Sequence, residues 1–372
     1  MDRYLILNGP NLNLLGTRAP EVYGTTTLSD IEALCRQWGS ELGVEIDTAQ
    51  SNHEGTLIDS LHDARDTHDG IVFNPGAYTH TSYALADAID AIGVPTVEIH
   101  ISNVMEREPW RRTSVVGPAC IKTIYGRGVD GYRWAIRHMF HRREWPAEHI
   151  QYGDHSDALV DIRRPEGPGP HPCAILVHGG FWRHQWTRDT MDGIAIDLAR
   201  RGWLTANVEY RRVGAGGGWP HSADDVARAI EHVAATEAVG PVTVIGHSAG
   251  GHLALMARTR TEVPFLPVSL GGVLDLEAAQ RENVGGGAVD AFLAGASAAD
   301  ASPLHIGFTQ PVVVVHATSD DRVPVSQARS FAAANPGAVV VELSGSGHFE
   351  VLERSDPAWL RTVGTVTDLL DV

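Results

Sequence analysis

The fold of this 372-residue chain is set by a short apolar run that ends in polar residues: residues 4–11 read YLILNGPN. The first predicted strand is 4–8, and similar runs predict strands at 44–50, 70–74, 96–100 and 120–124. Between them lie longer stretches whose apolar residues repeat with the period of a helix, at 27–42, 56–67, 81–92 and 130–140. Because short buried strands alternate with amphipathic helices, the sequence predicts a parallel sheet covered by helices.

Polar residues follow the predicted strands at the point where each strand ends. They are Asn8 to Asn11, Ser51, Asn74 and His100 to Ser102. Five strands with four helices predict a flavodoxin-like sheet of the α/β class, and such sheets bind ligands beyond the carboxyl ends of their strands. We therefore expect a binding site where these polar residues meet.

The composition excludes several classes of partner. The net charge is −17, and acidic residues outnumber basic ones in both halves, so we expect no nucleic acid. No apolar run approaches the roughly 20 residues of a membrane span, and the start of the chain lacks the layout of a signal peptide. Cys35, Cys120 and Cys173 form no CxxC pair, as expected for reduced thiols in the cytoplasm. We expect neither a metal nor a cofactor.

Four polar blocks in the first 143 residues together resemble the type II 3-dehydroquinate dehydratases. They lie at 8–23, 50–55, 74–82 and 100–111, and each carries several polar residues that a fold alone does not require. The resemblance covers a predicted domain at 1–143. It implies dehydration of 3-dehydroquinate to 3-dehydroshikimate, by acid–base anti elimination through an enolate.

The resemblance also implies a role for each catalytic residue of this domain. Tyr23 is implied as the base, and since a free tyrosine has a pKa near 10, it needs a nearby positive charge, which Arg18 can supply. His100 resembles the general acid that protonates the leaving hydroxyl, with Glu98 as a candidate partner for its ring. Asn11 is implied as the group that polarises the enolate.

Further positions match the family's substrate-binding residues. They are Asn74, His80, Asp87, Glu98, Ile101, Ser102, Arg107 and Arg111. The resemblance implies that backbone amides after the histidine bind the substrate carboxylate, while histidine and arginine side chains hold ring hydroxyls. The aspartate of the family reaches into a neighbouring subunit's site, so the match at Asp87 implies a trimer-based homo-oligomer, usually a dodecamer. Lys122 is the only lysine, so a Schiff-base route, as in the unrelated type I dehydroquinases, would depend on it alone.

A charged, proline-broken segment separates the two halves of the chain. Residues 144–149 are the predicted linker to a second domain at 150–372. In that domain 160–163 is predicted as an edge strand, followed by a Pro/Gly-rich turn at 165–172. Buried strands are predicted at 174–177, 204–208, 242–245 and 312–316, with helical segments between them. This is again the alternation of an α/β domain.

The second domain carries the motif of a serine nucleophile. Residues 246–250 read GHSAG between a predicted strand and a helical segment at 251–257, the context that a nucleophile elbow requires. Asp320 and His348 each follow a later strand, and the order Ser248, Asp320, His348 is that of α/β-hydrolases. Asp321 is the adjacent alternative for the acid.

A second motif, HGGFW at 178–182, follows another predicted strand. Its backbone amides at Gly180 and Phe181, with that of Ala249, are the predicted oxyanion hole. Together with 152–154, 246–252, 273–276 and 301–304, this motif resembles the kynurenine-formamidase branch of the α/β-hydrolases. Many small carboxylesterases share these motifs, so the substrate stays open between an ester and a formamide. Fusion to a dehydratase of the shikimate and quinate routes suggests esters of quinate or related acids.

The complete residue set in each half predicts a bifunctional enzyme that acts on small molecules. Two alternatives remain open: an active dehydratase with a hydrolase-like assembly or regulatory module, and an N-terminal half that only binds a carboxylated ring. The complete hydrolase set speaks against the first alternative, and the complete dehydratase set against the second. The dehydration is the same reaction in aromatic biosynthesis and in quinate breakdown, so the sequence does not distinguish these roles.

Overall fold

The computed structural model describes residues 1–17 and 24–372, and the chain divides into two compact units, Met1–Glu144 and Trp145–Val372. Each unit contains its own sheet, with five strands in the first unit and eight in the second. Helices lie between successive parallel strands in both units. The predicted α/β class, a flavodoxin-like domain followed by an α/β-hydrolase domain, is confirmed.

The sheet of the first unit has the strand order β2-β1-β3-β4-β5, and all neighbouring strands are parallel. This is the flavodoxin-like order. The strands are β1 (Arg3–Asn8), β2 (Glu45–Gln50), β3 (Gly70–Asn74), β4 (Thr96–His100) and β5 (Lys122–Tyr125). The helices are Leu28–Leu42, Glu54–Ala64, Tyr83–Ile92 and Asp130–Glu144.

Local sequence explains where these elements begin and end. The helix Leu28–Leu42 starts after Thr27, whose hydroxyl accepts from the Asp30 backbone N–H while the Asp30 carboxylate accepts from that of Thr27. This reciprocal capping satisfies backbone donors that the first helical turn leaves unpaired. The helix ends at Gly43, which takes a left-handed φ of 72°. β3 and β4 are buried along their whole length, so their polar ends at Asn74 and His100 are fixed by the core.

The sheet of the second unit has the order β13-β12-β11-β10-β8-β9-β7-β6. Its strands are β6 (Glu148–Gln151), β7 (Leu159–Arg163), β8 (His171–Val177), β9 (Leu204–Val208), β10 (Val239–His247), β11 (Leu266–Leu270), β12 (Val313–Ala317) and β13 (Val339–Leu343). The helices are Asp192–Arg200, His221–Thr236, Ala249–Met256, Leu276–Arg281, Ala288–Leu293, Ser326–Ala334 and Pro357–Leu370. From β9 through β8 to β13 the strands are parallel, whereas β6 and β7 join antiparallel.

Alternate residues of the central strands face two separate cores. Along β8, Cys173, Ile175 and Val177 pack into one core, and Ala174 and Leu176 pack into the other. The sheet is therefore covered by helices on both faces, as its nearly continuous apolar strands require. In the part of the chain that the structure describes, every helix is too short or too polar to cross a bilayer.

Two predictions near the domain boundary are wrong in part. The predicted linker, residues 144–149, is shorter, because Glu144 ends a helix while Glu148 and His149 belong to β6. The predicted edge strand at 160–163 is internal, since β7 pairs with β6 on one side and β9 on the other. Within this strand, Arg163 is buried and bound to Asp192 at 2.9 Å.

Candidate active sites

The first candidate site is a cavity at the carboxyl ends of β1, β3 and β4. Eight of the predicted residues line it: Asn11, Asn74, His80, His100, Ile101, Ser102, Arg107 and Arg111. Two predicted residues, Arg18 and Tyr23, lie outside the described residues. Glu98 does not line the cavity but lies behind His100, and Asp87 is exposed on the helix Tyr83–Ile92, away from the lining residues.

His100 is held from behind by a buried carboxylate. A ring nitrogen of His100 lies 2.9 Å from Glu98 Oε1, and hydroxyl groups of Thr79, Ser114 and Thr123 donate to the same carboxylate. Burial alone raises the pKa of Glu98, but its hydrogen bonds to His100, Thr79 and Thr123 lower it below the usual value. Glu98 therefore stays charged and accepts a hydrogen bond from the His100 ring, which fixes the orientation of that ring. The three hydroxyl groups were not predicted from the sequence.

The cavity also presents donors suited to an anionic ligand. Arg107 and Arg111 both line it, and both lie near Glu108, at 3.5 and 3.0 Å. The carbonyl groups of Ile101 and Ser102 accept from the backbone N–H groups of two glycines in the loop after β5, each with a positive φ. These bonds fix the chain after His100, where the family likeness implies that backbone amides bind a carboxylate.

Three buried side chains beside the cavity are joined by hydrogen bonds, and the sequence did not predict this contact. Asn8 and Asn74 end adjacent parallel strands and are register partners. Tyr132, from the helix Asp130–Glu144, donates its hydroxyl hydrogen to Asn8 Oδ1 at 2.7 Å and accepts from Asn74 Nδ2 at 3.0 Å. The two asparagines at strand ends were a signal for such a site. No feature of the sequence pointed to Tyr132, because it lies 58 residues from Asn74 in the chain.

The second candidate site is built around Ser248, between β10 and the helix Ala249–Met256. Ser248 has a φ of 55°, the sharp turn expected of a nucleophile elbow. A Cβ at Gly246 would lie 2.0 Å from the Gly250 carbonyl oxygen, and one at Gly250 would lie 2.0 Å from that of Val177. Only glycine fits at both positions, which explains the GHSAG sequence. Ser248 is buried, and its Oγ has no hydrogen-bond partner among the described residues.

Asp320 and His348 form a hydrogen-bonded pair beside this elbow. His348 Nδ1 lies 2.7 Å from Asp320 Oδ2, and Asp320 Oδ1 accepts from the backbone N–H groups of Arg322 and Val323. Burial raises the pKa of Asp320, but His348 and these backbone donors lower it below the usual value. The alternative acid, Asp321, is largely exposed and pairs only loosely with its neighbour Arg322, at 3.6 Å.

Two residues with no predicted role, Gly271 and His247, lie against this pair. A Cβ at Gly271, at the end of β11, would lie 3.1 Å from Asp320 Oδ2 and 3.6 Å from His348 Nδ1, so this position needs glycine. His247, the residue before Ser248, holds the His348 carbonyl oxygen at 2.8 Å. Burial lowers the pKa of His247 to about 3, so its ring is neutral and donates that hydrogen.

The HGGFW segment adopts an unusual backbone conformation. Gly180, Phe181 and Trp182 have φ values of 106°, 52° and 56°. Left-handed conformations cost about 1–2 kcal/mol for residues other than glycine, so the two aromatic residues must be held in place by their surroundings. Gly179 packs directly on the elbow, since a Cβ there would lie 2.7 Å from Ser248 Cβ.

Residues 209–213 supply the contacts that hold this segment. The Tyr210 hydroxyl donates to the His178 carbonyl at 2.9 Å, and the Val213 N–H donates to the Trp182 carbonyl at 2.8 Å. Arg212 donates to the carbonyl groups of His184 and Trp186, at 3.2 and 2.7 Å.

A buried carboxylate anchors the same contacts. Glu209 lies 2.7 Å from His178 Nε2 and 3.2 Å from Arg212. Burial raises the pKa of Glu209, but the charges of His178 and Arg212 bring it down to about 2, so the carboxylate is charged. None of residues 209–213 was predicted as a site residue.

Metal ligands are not clustered in the structure. Over residues 1–17 and 24–372, no group of three or more histidine, cysteine, aspartate or glutamate side chains is placed to hold a metal ion.

Comparison with known families assigns each unit to a class. The family model for class II dehydroquinases matches residues 2–140, and the family model described as BD-FAE matches residues 160–292. The second unit also resembles a thermophilic esterase of Thermogutta terrifontis, at 22% identity and a TM-score of 0.51, over 60% of this chain and 91% of that one. The first unit is thus a dehydroquinase-type domain, and the second has the α/β-hydrolase fold.

Curated relatives make the first assignment specific. Residues of this chain are 56% identical over 131 positions to the 3-dehydroquinate dehydratase of Dinoroseobacter shibae, covering 35% of this chain and 87% of the relative. They are 53% identical over 135 positions to catabolic 3-dehydroquinase 1 of Neosartorya fischeri, covering 36% of this chain and 90% of the relative. Through its N-terminal unit, the chain belongs to the class II dehydroquinase family.

Proposed function

We propose that the first unit converts 3-dehydroquinate to 3-dehydroshikimate. The observation that carries this proposal is the buried Glu98–His100 pair facing a polar cavity, in a domain 56% identical to a dehydratase. A base removes a proton from the carbon next to the ketone, and the electron pair forms an enolate. The enolate then expels the neighbouring hydroxyl, which takes a proton from an acid and leaves as water.

The residues take the following roles in that reaction. His100 is the acid, because it lines the cavity and the Glu98 carboxylate orients its ring. Asn11, on the cavity wall, polarises the enolate oxygen. Backbone amides after His100 bind the substrate carboxylate, and the side chains of His80 and Arg111, which line the cavity, hold ring hydroxyls. Tyr23 is proposed as the base on family likeness alone.

The test is turnover by the full chain. Purified protein should convert 3-dehydroquinate to a product with the ultraviolet absorbance of a conjugated enone. Borohydride added with substrate should leave the activity intact, because this route forms no imine. Inactivation by borohydride that maps to Lys122 would contradict the mechanism, and absence of the enone product would contradict the function.

We further propose that the second unit is a serine hydrolase for an ester or formamide. Ser248 Oγ attacks the acyl carbon and gives its proton to His348, which Asp320 orients. The amides of Gly180, Phe181 and Ala249 stabilise the tetrahedral oxyanion. The leaving alcohol or amine takes the proton from His348, and water then releases the acyl group from Ser248 by the same route.

A fluorophosphonate probe tests this second activity directly, since it reacts with an activated serine. The full chain should be labelled at Ser248, and Ser248→Ala should not be labelled. A panel of acyl esters and N-formylkynurenine then ranks the substrates. If the folded wild-type chain resists the probe and cleaves none of the panel, the non-catalytic assembly module becomes the better account.

We also propose that the chain assembles in trimers, and as a dodecamer through its first unit. Asp87 is exposed on the helix Tyr83–Ile92 and does not line the cavity of its own chain, so its implied role requires a neighbouring subunit. Sedimentation of the active full chain should give a multiple of three subunits. A fully active monomer would exclude the role of Asp87. The cytoplasmic location stays a prediction.

A further inference from the structure

The buried contact between Asn8, Asn74 and Tyr132 has a defined direction. All three side chains are buried, and only Asn74 lines the cavity. The Tyr132 hydroxyl has one hydrogen, which goes to Asn8 Oδ1, so its oxygen can only accept from Asn74 Nδ2. Burial raises the pKa of Tyr132 far above the usual value, so this hydrogen stays on the phenol at working pH.

The orientation of the Asn74 amide follows from these contacts. Its Oδ1 accepts from the Gly76 backbone N–H at 3.2 Å, and its Nδ2 donates one hydrogen to Tyr132. The reversed amide would place an NH₂ group against the Gly76 N–H, two donors facing each other. In the observed orientation, the second Nδ2 hydrogen remains for a ligand in the cavity.

We infer that Tyr132 is a positioning residue that fixes Asn74 as a hydrogen-bond donor to an oxygen atom of the substrate. This inference rests on the proposed dehydratase function. It also defines the recognised group: a hydroxyl or carboxylate oxygen that accepts from Asn74, and not a hydroxyl that donates to it. Tyr132 acts only through Asn74 and does not touch the substrate.

The inference predicts a change in substrate binding when the hydroxyl is removed. In Tyr132→Phe the amide keeps only its contact with the Gly76 N–H, so its orientation is less firmly fixed. The KM for 3-dehydroquinate should rise about 3- to 10-fold, the effect of one misdirected hydrogen bond, with kcat within about twofold of wild type. Tyr4→Phe is the matched control, because Tyr4 is equally buried in this unit and its hydroxyl contacts only Asp2, at 3.5 Å. Its KM should not change.

A double-mutant cycle separates positioning from general stability. If Tyr132 acts through Asn74, adding Tyr132→Phe to Asn74→Ala should not raise the KM further. Should Tyr132→Phe not fold, Asn8→Ala removes the acceptor of the same hydroxyl and should raise the KM by a smaller factor. An unchanged KM in the folded variants, or additive effects in the cycle, overturns the inference alone. A wild-type chain that does not turn over 3-dehydroquinate overturns the proposed function, and the inference with it.

Discussion

Each candidate site lies at the carboxyl ends of parallel strands in its own unit, but the two sites are held together by different means. In the first unit, side chains hold side chains: Glu98 binds His100, and Tyr132 binds Asn74. In the second unit, the side chains of Tyr210 and Arg212 hold a backbone, by donating to carbonyl groups of the segment 178–186. The carboxyl ends of parallel strands therefore support two kinds of preorganisation, one of side chains and one of backbone.

The difference reflects what each proposed reaction needs. Elimination of water needs a proton donor and a base at set places, and these are side chains whose orientation and charge must be controlled. Acyl transfer needs donors aimed at a developing oxyanion, and these are backbone amides in a strained conformation. Strain of about 1–2 kcal/mol at Phe181 and at Trp182 must be offset by contacts to the neighbouring carbonyl groups.

Loss of the proposed acid should disable the site of the first unit alone. His100→Ala should lower kcat for 3-dehydroquinate by about 100- to 10,000-fold, because the proton for the leaving hydroxyl is lost. Cleavage of a nitrophenyl acetate by the same preparation should equal wild type and serves as the folding control. Retention of more than a tenth of the dehydratase kcat would show that another group is the acid.

A smaller effect is expected at the second site, where side chains hold the backbone of the segment 178–186. Tyr210→Phe removes one hydrogen bond to the segment 178–186, so kcat for the ester should fall about 3- to 10-fold. Tyr152→Phe is the matched control, since its hydroxyl also donates to a backbone carbonyl, that of Glu209, at 2.7 Å. The control should lose stability but little kcat. Equal losses of kcat in both variants would mean that Tyr210 is only a stability residue.

The sequence predicted the residues that nearby structure fixes, and it did not predict those that act through contacts distant in the chain. Polar residues at strand ends, such as Asn74 and His100, were readable because a buried strand fixes where they project. The GHSAG motif could be recognised because crowding at this sharp turn requires its glycines. Tyr132 and Arg212 were not, since each acts through a contact with a segment distant in the chain. The internal position of β7 was also missed, because the partner of its buried Arg163 is Asp192, which lies outside the strand.

The central claim is that one chain carries two complete and independent sites. The most direct test measures both reactions in a single preparation of full-length Ser248→Ala. We expect hydrolysis of nitrophenyl acetate to fall by at least about 10,000-fold, the scale seen when a serine nucleophile is removed. Dehydration of 3-dehydroquinate should keep its wild-type kcat and KM within experimental error. A large loss of dehydratase activity in this folded variant, or ester cleavage that persists at the wild-type rate, would contradict the claim.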